Sequence, residues 1–204
     1  MSKTDYAEKL FSDFIYVRTY SRYLWDQGRR ETWEETVDRY CNFIFSHCPN
    51  PEAIPKKVKQ KARQYILNKD VMPSMRALWS AGPNAERDNT SMYNCAAIAM
   101  ESLEAFGEIM YILLAGAGVG FSVEKRYISK LPVINKQVNK EMLRFCIPDS
   151  REGWKQAIDF GISAWFEGRD VDFDYCTLRP AGTPLLISGG YSSGPAPLQR
   201  CLEF

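Results

Sequence analysis

The sequence predicts an α/β protein: a helical N-terminal region over residues 1–68, followed from residue 69 by alternating strands and helices. Three observations carry this expectation. Apolar residues recur at helical spacing in the first third. The middle third passes from an apolar strand through a helix to a second strand. The last third opens with an acid-rich helix start and then becomes rich in glycine, proline and serine.

In the first third, Thr32 with Glu35 forms a capping box, and Trp33, Val37, Tyr40, Cys41 and Ile44 then fall on one helical stripe that ends at "HCPNP". Lys56 to Leu67 reads as a second amphipathic helix, with Val58, Ala62, Tyr65 and Ile66 on its inner side and its lysines and arginines on a solvated face. His47, the only histidine, sits in the helix-ending turn, where a capping role is expected; no other histidine exists to complete a metal site.

The middle third is built around "MYNCAAIAM", Met92 to Met100, which reads as a buried strand with one thiol in it. Ser102 is placed to cap the next helix, carried by Leu103, Phe106, Ile109, Met110 and Leu113, and Val119 to Lys125 follows as a strand. Strand, helix and strand in this order make a right-handed parallel unit. "AGAGVGF", Ala115 to Phe121, fails the dinucleotide fingerprint, because Phe121 stands where the third glycine belongs and the order is helix, turn, strand. Its glycines leave the backbone bare at Gly116, Gly118 and Gly120, which suits either a tight turn or close approach by a ligand.

Asp149 and Glu152 open a helix through Trp154, Ile158, Ile162 and Trp165, closed at Gly168. The segment Leu178 to Leu198 has a loop composition, yet Leu185, Leu186 and Ile187 in its middle point to a structured loop with an embedded strand.

Charge and composition remove several classes of function. The 26 basic and 25 acidic residues nearly cancel, so no general attraction to nucleic acid or to an anionic membrane is expected. Neither a signal peptide nor a stretch of transmembrane length is seen, which places the protein in the cytoplasm. The six cysteines show neither a CxxC motif nor a regular ligand spacing, against both a secreted disulfide framework and a zinc site.

Three stretches, "GRRETWEETVDRY" (28–40), "MPSMRALWSAG" with "YNC" and "LLAGAGVGFSVE" (72–124), and "DSREGW…FDY…LRPAGTPL…GG…SGPAPL" (149–198), resemble the N-terminal portion of the ribonucleotide reductase catalytic chain. The resemblance is greatest to the adenosylcobalamin-dependent, monomeric type that reduces ribonucleoside triphosphates, and it is weakest over about 130 to 150. It implies a helical region over 1–68 and, over 69–204, the first part of a ten-stranded α/β barrel with an effector-region helix at about 149–167.

Replacing a ribose 2′-hydroxyl by hydrogen takes two electrons, which a pair of thiols gives by closing a disulfide. The resemblance implies that Cys95 is one of that pair, and that Ser74, Asn94, Ala117 and Gly118 line the nucleotide's ribose and phosphates. Hydroxyl, amide and bare backbone groups suit that role. It further implies adenosylcobalamin as cofactor, a ribonucleoside triphosphate as substrate, a deoxynucleotide effector and a dithiol reductant such as thioredoxin.

The radical-carrying cysteine, the second reducing cysteine and most cobalamin contacts match nothing in this sequence, and Cys201 sits in no matching motif. The expectation is therefore an N-terminal portion, from a split gene, a truncated reading frame or an extein, that is inactive alone and needs a complementary C-terminal chain. An incomplete barrel would leave strand edges open as a docking surface. The alternative is a non-catalytic nucleotide-binding or regulatory module derived from the same family.

Overall fold

The computed structural model describes residues 3–137 and 142–203. They pack as two compact units, one of residues 3–93 with 186–189 and one of residues 94–137 and 142–185 with 190–203.

The first unit begins with α1 (Lys3–Thr19), then β1 (Tyr23–Leu24) and β2 (Arg29–Arg30), a short antiparallel pair. This hairpin was not expected in a region read as wholly helical; its turn closes at Gly28, whose φ of 64° is left-handed backbone that glycine adopts freely. Next come α2 (Trp33–Ser46), α3 (Lys56–Leu67), α4 (Met75–Ser80) and α5 (Pro83–Arg87). The capping box at α2 forms as expected: the Glu35 N–H donates to the Thr32 hydroxyl, and the Glu35 carboxylate accepts from the Thr32 N–H at 2.7 Å. Val37 and Cys41 on its stripe are buried with Ile66 of α3, each large apolar side chain contributing about 1.5–3 kcal/mol. Val58 and Tyr65, expected on the inner side of α3, are instead exposed, so only the part of the helix around Ile66 is seated. His47 caps α2, its Nδ1 lying 2.9 Å from the Phe43 carbonyl oxygen.

A buried ion pair organises this unit. The Glu31 carboxylate accepts from Arg39 at 2.7 and 2.9 Å, from the Thr36 hydroxyl at 2.8 Å and from the Arg22 N–H at 3.3 Å. Its own carbonyl accepts from the Tyr16 and Ser21 hydroxyls. Burial pushes the carboxyl pKa up, but the Arg39 and Thr36 hydrogen bonds outweigh it and leave the group below its ordinary value.

The second unit holds two parallel strand–helix–strand crossovers. In the first, β3 (Cys95–Ala99), α6 (Glu104–Leu114) and β4 (Gly118–Ser122) follow the expected order, and Cys95 pairs with Gly118 through to Ala99 with Ser122. Three expectations change here. The strand is not buried: Cys95 and Ala97 are exposed, because a two-stranded sheet covered by a helix on one face leaves the other open. Ser102 does not cap α6; Leu103 holds that position without a side-chain bond, and the Ser102 hydroxyl holds the Glu104 carboxyl below its ordinary range. The second strand ends at Ser122, three residues short of the expected Lys125, and Glu124 begins α7 (Lys125–Ile128).

The second crossover is β5 (Leu143–Cys146), α8 (Arg151–Phe166) and β6 (Val171–Asp174), with Leu143 paired to Val171. Ser150 caps α8 by accepting the Gly153 N–H at 2.9 Å, and Gly168, at φ 76°, follows its end. The strand β5 was not foreseen. Ile147, Ala157, Ile158, Phe173 and Leu178 form the core of this unit together with Leu198 and Leu202 of α9 (Ala196–Leu202). The embedded strand expected at Leu185 to Ile187 is replaced by an isolated bridge between Pro184 and Tyr191, leaving Leu186 and Ile187 exposed. Among the described residues the sheets are three separate pairs and no closed barrel is present.

Candidate functional site around the Cys95 strand

Local chemistry places Cys95 at the first position of β3, where small residues allow the two strands to run side by side. The Gly118 N–H donates to the Asn94 carbonyl at 2.9 Å, fixing the register that sets Cys95 beside Gly118 and Ala97 beside Gly120. Paired residues of parallel strands point to one face. All four are exposed, so this face is a floor of one thiol, one methyl group and two stretches of bare backbone.

Packing among the described residues does not demand the glycines at 118 and 120. A β-carbon added at Gly118 would meet the Asn94 oxygen and the Cys95 β-carbon at 3.9 Å, and one at Gly120 would meet the Ala96 oxygen at 4.0 Å, both ordinary contacts. What side chains there would do is cover the backbone next to the thiol. Ala117 is buried, its N–H donating to the Ile112 carbonyl at 3.2 Å, and Gly116 at φ 87° makes the turn from α6 into β4.

Asn94, Cys95, Ala117 and Gly118 are therefore brought together by the β3–β4 register. Ser74 belongs to the first unit, where its hydroxyl accepts the Ala77 N–H at 3.1 Å and caps α4. Ala97 was missed by the sequence reading, although period-two alternation from Cys95 would have found it, whereas Gly120, expected as bare backbone, is set beside Ala97 by the register. Among the described residues no group of three or more His, Cys, Asp and Glu side chains could hold a metal ion, and no helix is long and apolar enough to cross a membrane.

Such a mixed α/β chain, with a thiol on an open parallel strand pair, resembles the catalytic chain of the ribonucleotide reductases: residues 2–83 match the model of the ribonucleotide reductase alpha domain. Over most of its length it is similar to proteins of the adenosylcobalamin-dependent class. It is 30% identical to the adenosylcobalamin-dependent ribonucleoside-triphosphate reductase of Euglena gracilis over 91% of this chain and 28% of that protein. To the enzyme of the same name from Lactobacillus leichmannii it is 25% identical, over 90% of this chain and 33% of that protein. A crystal structure of a B12-dependent (class II) ribonucleotide reductase superposes with a TM-score of 0.77 at 25% identity, covering 93% of this chain and 35% of the other. The chain thus spans about a third of the length of the relatives it matches.

Proposed function

We propose that this chain supplies the N-terminal part of an adenosylcobalamin-dependent ribonucleoside-triphosphate reductase, with Cys95 as one of the two thiols that reduce the substrate. The observation that carries the reading is the open face of β3–β4, where the thiol stands beside uncovered backbone at Gly118 and Gly120. In this reading residues 1–68 are the helical region, residues 69–204 begin a ten-stranded barrel that a complementary portion completes, and α8 lies in the effector region at about 149–167.

The stoichiometry follows from the thiols. Ribonucleotide and two thiols yield 2′-deoxyribonucleotide, one disulfide and water, and a dithiol such as thioredoxin then reopens the disulfide by exchange. Asn94 offers an amide to sugar oxygens, and the uncovered backbone at Gly118 admits the ribose and phosphates closely, while substrate contacts are assigned to Ser74 and Ala117 by the resemblance alone. Adenosylcobalamin would supply the radical that activates the ribose. His47 is engaged at the C-terminus of α2 and is assigned no cobalamin contact; those contacts are assigned to the complementary portion. The product feeds deoxyribonucleotide supply for DNA replication in the cytoplasm, under deoxynucleotide effector control.

The test mixes the chain with a chain supplying the rest of the barrel, then adds ribonucleoside triphosphate, adenosylcobalamin and a dithiol. Deoxyribonucleotide should form in the mixture and not with this chain alone. Turnover by this chain alone, or nucleotide binding without turnover in a mixture shown to form a complex, overturns the reading.

A further inference from the structure

The end of the second crossover carries two more thiols, away from the Cys95 face in sequence and unused by the reaction above. Cys146 is the last residue of β5 and pairs with Asp174, the last of β6. Both Cys146 and Cys176 are exposed. Alternation places Arg144 and Cys146 on the outer face of β5, where Arg144 donates to the Asp174 carboxylate at 3.2 Å, while Phe145 and Phe173 face the core.

After β6 the chain folds back across the end of β5. The Cys176 N–H donates to Asp174 Oδ1 at 3.0 Å, the Ile147 N–H donates to the Asp174 carbonyl at 3.0 Å, and the Thr177 hydroxyl donates to the Ile147 carbonyl. Residues 146–147 and 174–177 are thus held one hydrogen bond apart. Neighbouring strands lie about 4.8 Å apart, which is the spacing of Cys146 from its partner Asp174; Cys176, two residues further on, is turned back towards that pair by its N–H bond to Asp174, and a disulfide needs α-carbons within about 4.4–6.8 Å. A hydrogen bond to the Asp174 carboxylate, with burial and the carboxylate's charge, pushes the Cys176 thiol up, and Cys146 is close enough to add to the effect.

We propose that Cys146 and Cys176 form a reversible disulfide that clamps the C-terminal ends of β5 and β6, closed by exchange with a low-molecular-weight disulfide. One thiolate attacks a sulfur of the oxidant, forming a mixed disulfide and releasing one thiol; the second thiolate then displaces the other half. Two protein thiols become one S–S bond, and the oxidant's S–S bond becomes two thiols. The bridge encloses the whole of α8, so it ties the start of that helix, where Arg179 donates to the Asp149 carboxylate at 2.7 Å, to the strand ends. Closing such a loop restricts the unfolded chain and stabilises the unit.

The experiment incubates the full chain with glutathione disulfide, alkylates the remaining thiols and maps unreduced tryptic peptides by mass spectrometry. The expected product joins the peptide of residues 145–151 to that of residues 170–200, with two of the six thiols lost and an unfolding midpoint that rises on oxidation and falls back with dithiothreitol. In Cys146→Ser, Cys176 should instead accumulate as a stable glutathione adduct. Separate glutathione adducts on both residues of the unaltered chain, a bridge from either to another cysteine, or a midpoint lowered by the 146–176 bridge overturns the proposal. None of these readouts depends on nucleotide reduction, so the clamp and the role of Cys95 fail independently.

Discussion

Replacing Glu31 by glutamine removes the one carboxylate that the Arg39 guanidinium and the Arg22 backbone share, while keeping the side chain's shape. Glu31 is 6% exposed and Arg39 15% exposed, so solvent cannot take over as counter-charge. Arg39 would keep its 2.7 Å bond to the Ala81 carbonyl but lose charge pairing at both nitrogens that now donate to the carboxylate. Breaking a buried pair on one side costs about 3–5 kcal/mol, because the other charge stays buried. For a chain of this size that lowers the thermal midpoint by about 2–4 °C per kcal/mol, or ~6 °C at the least. Circular dichroism on the chain and on Glu101→Gln as a control gives the comparison: the Lys130–Glu101 pair is 59% and 46% exposed, and its loss should cost under about 1 kcal/mol. The sign with pH follows from the lowered carboxyl pKa. The stabilisation is fully present above the unfolded value near 4.5 and is lost as pH falls through the folded value, so acid destabilisation should be shallower in the Glu31→Gln variant. A Glu31→Gln midpoint no lower than that of Glu101→Gln would refute the reasoning.

Other outcomes follow from the same geometry. Gly153→Ala gains about 1 kcal/mol of helix propensity, but the new β-carbon would lie 2.1 Å from the Pro148 carbonyl oxygen, which is backbone. The helix start must shift and give up the Ser150 cap, so a net loss of roughly 1–3 kcal/mol is expected in urea unfolding, and a gain would show that this turn yields freely. Thr32→Ala removes the α2 cap and should cost about 1 kcal/mol by the same measurement, against no change if the capping box were ornamental. Because Cys95 is exposed, Cys95→Ser should leave stability within about 0.5 kcal/mol and, in the reconstituted enzyme, abolish sustained turnover with a dithiol; turnover retained per folded molecule returns the residue to a passive role. Mixed with the complementary portion, the chain should elute from a sizing column as a larger complex, and separate elution at micromolar concentration counts against assembly through strand edges.

Local chemistry alone determined a good part of this protein. The capping box at Thr32 and Glu35, the stop at His47, the helix from Arg151 and the parallel unit from Cys95 to Ser122 depend on hydrogen bonds and periodicities a few residues long, so they are legible without knowing what packs on them. The resemblance to ribonucleotide reductases rested on motif order, which is also one-dimensional, and it grouped Ser74, Asn94, Cys95, Ala117 and Gly118 as one site, the last four of which lie together at the β3–β4 pairing. Tertiary structure decided which faces are covered. An all-apolar run such as "CAAIA" reads alike whether one face or both are buried, and Cys95 is exposed because no second layer covers β3–β4 among the described residues. Val58 and Tyr65 fit the α3 stripe but lie outside the cluster around Val37, Cys41 and Ile66, whereas Leu185 to Ile187 has strand composition but among the described residues extends the Pro184–Tyr191 bridge no further than the Leu185–Gly190 hydrogen bond. Pairing also decided β5, a segment of four residues whose two core-facing side chains acquire meaning only opposite Val171 and Phe173. Burial and strand pairing are properties of the partner surface, and a sequence carries that surface only through the fold.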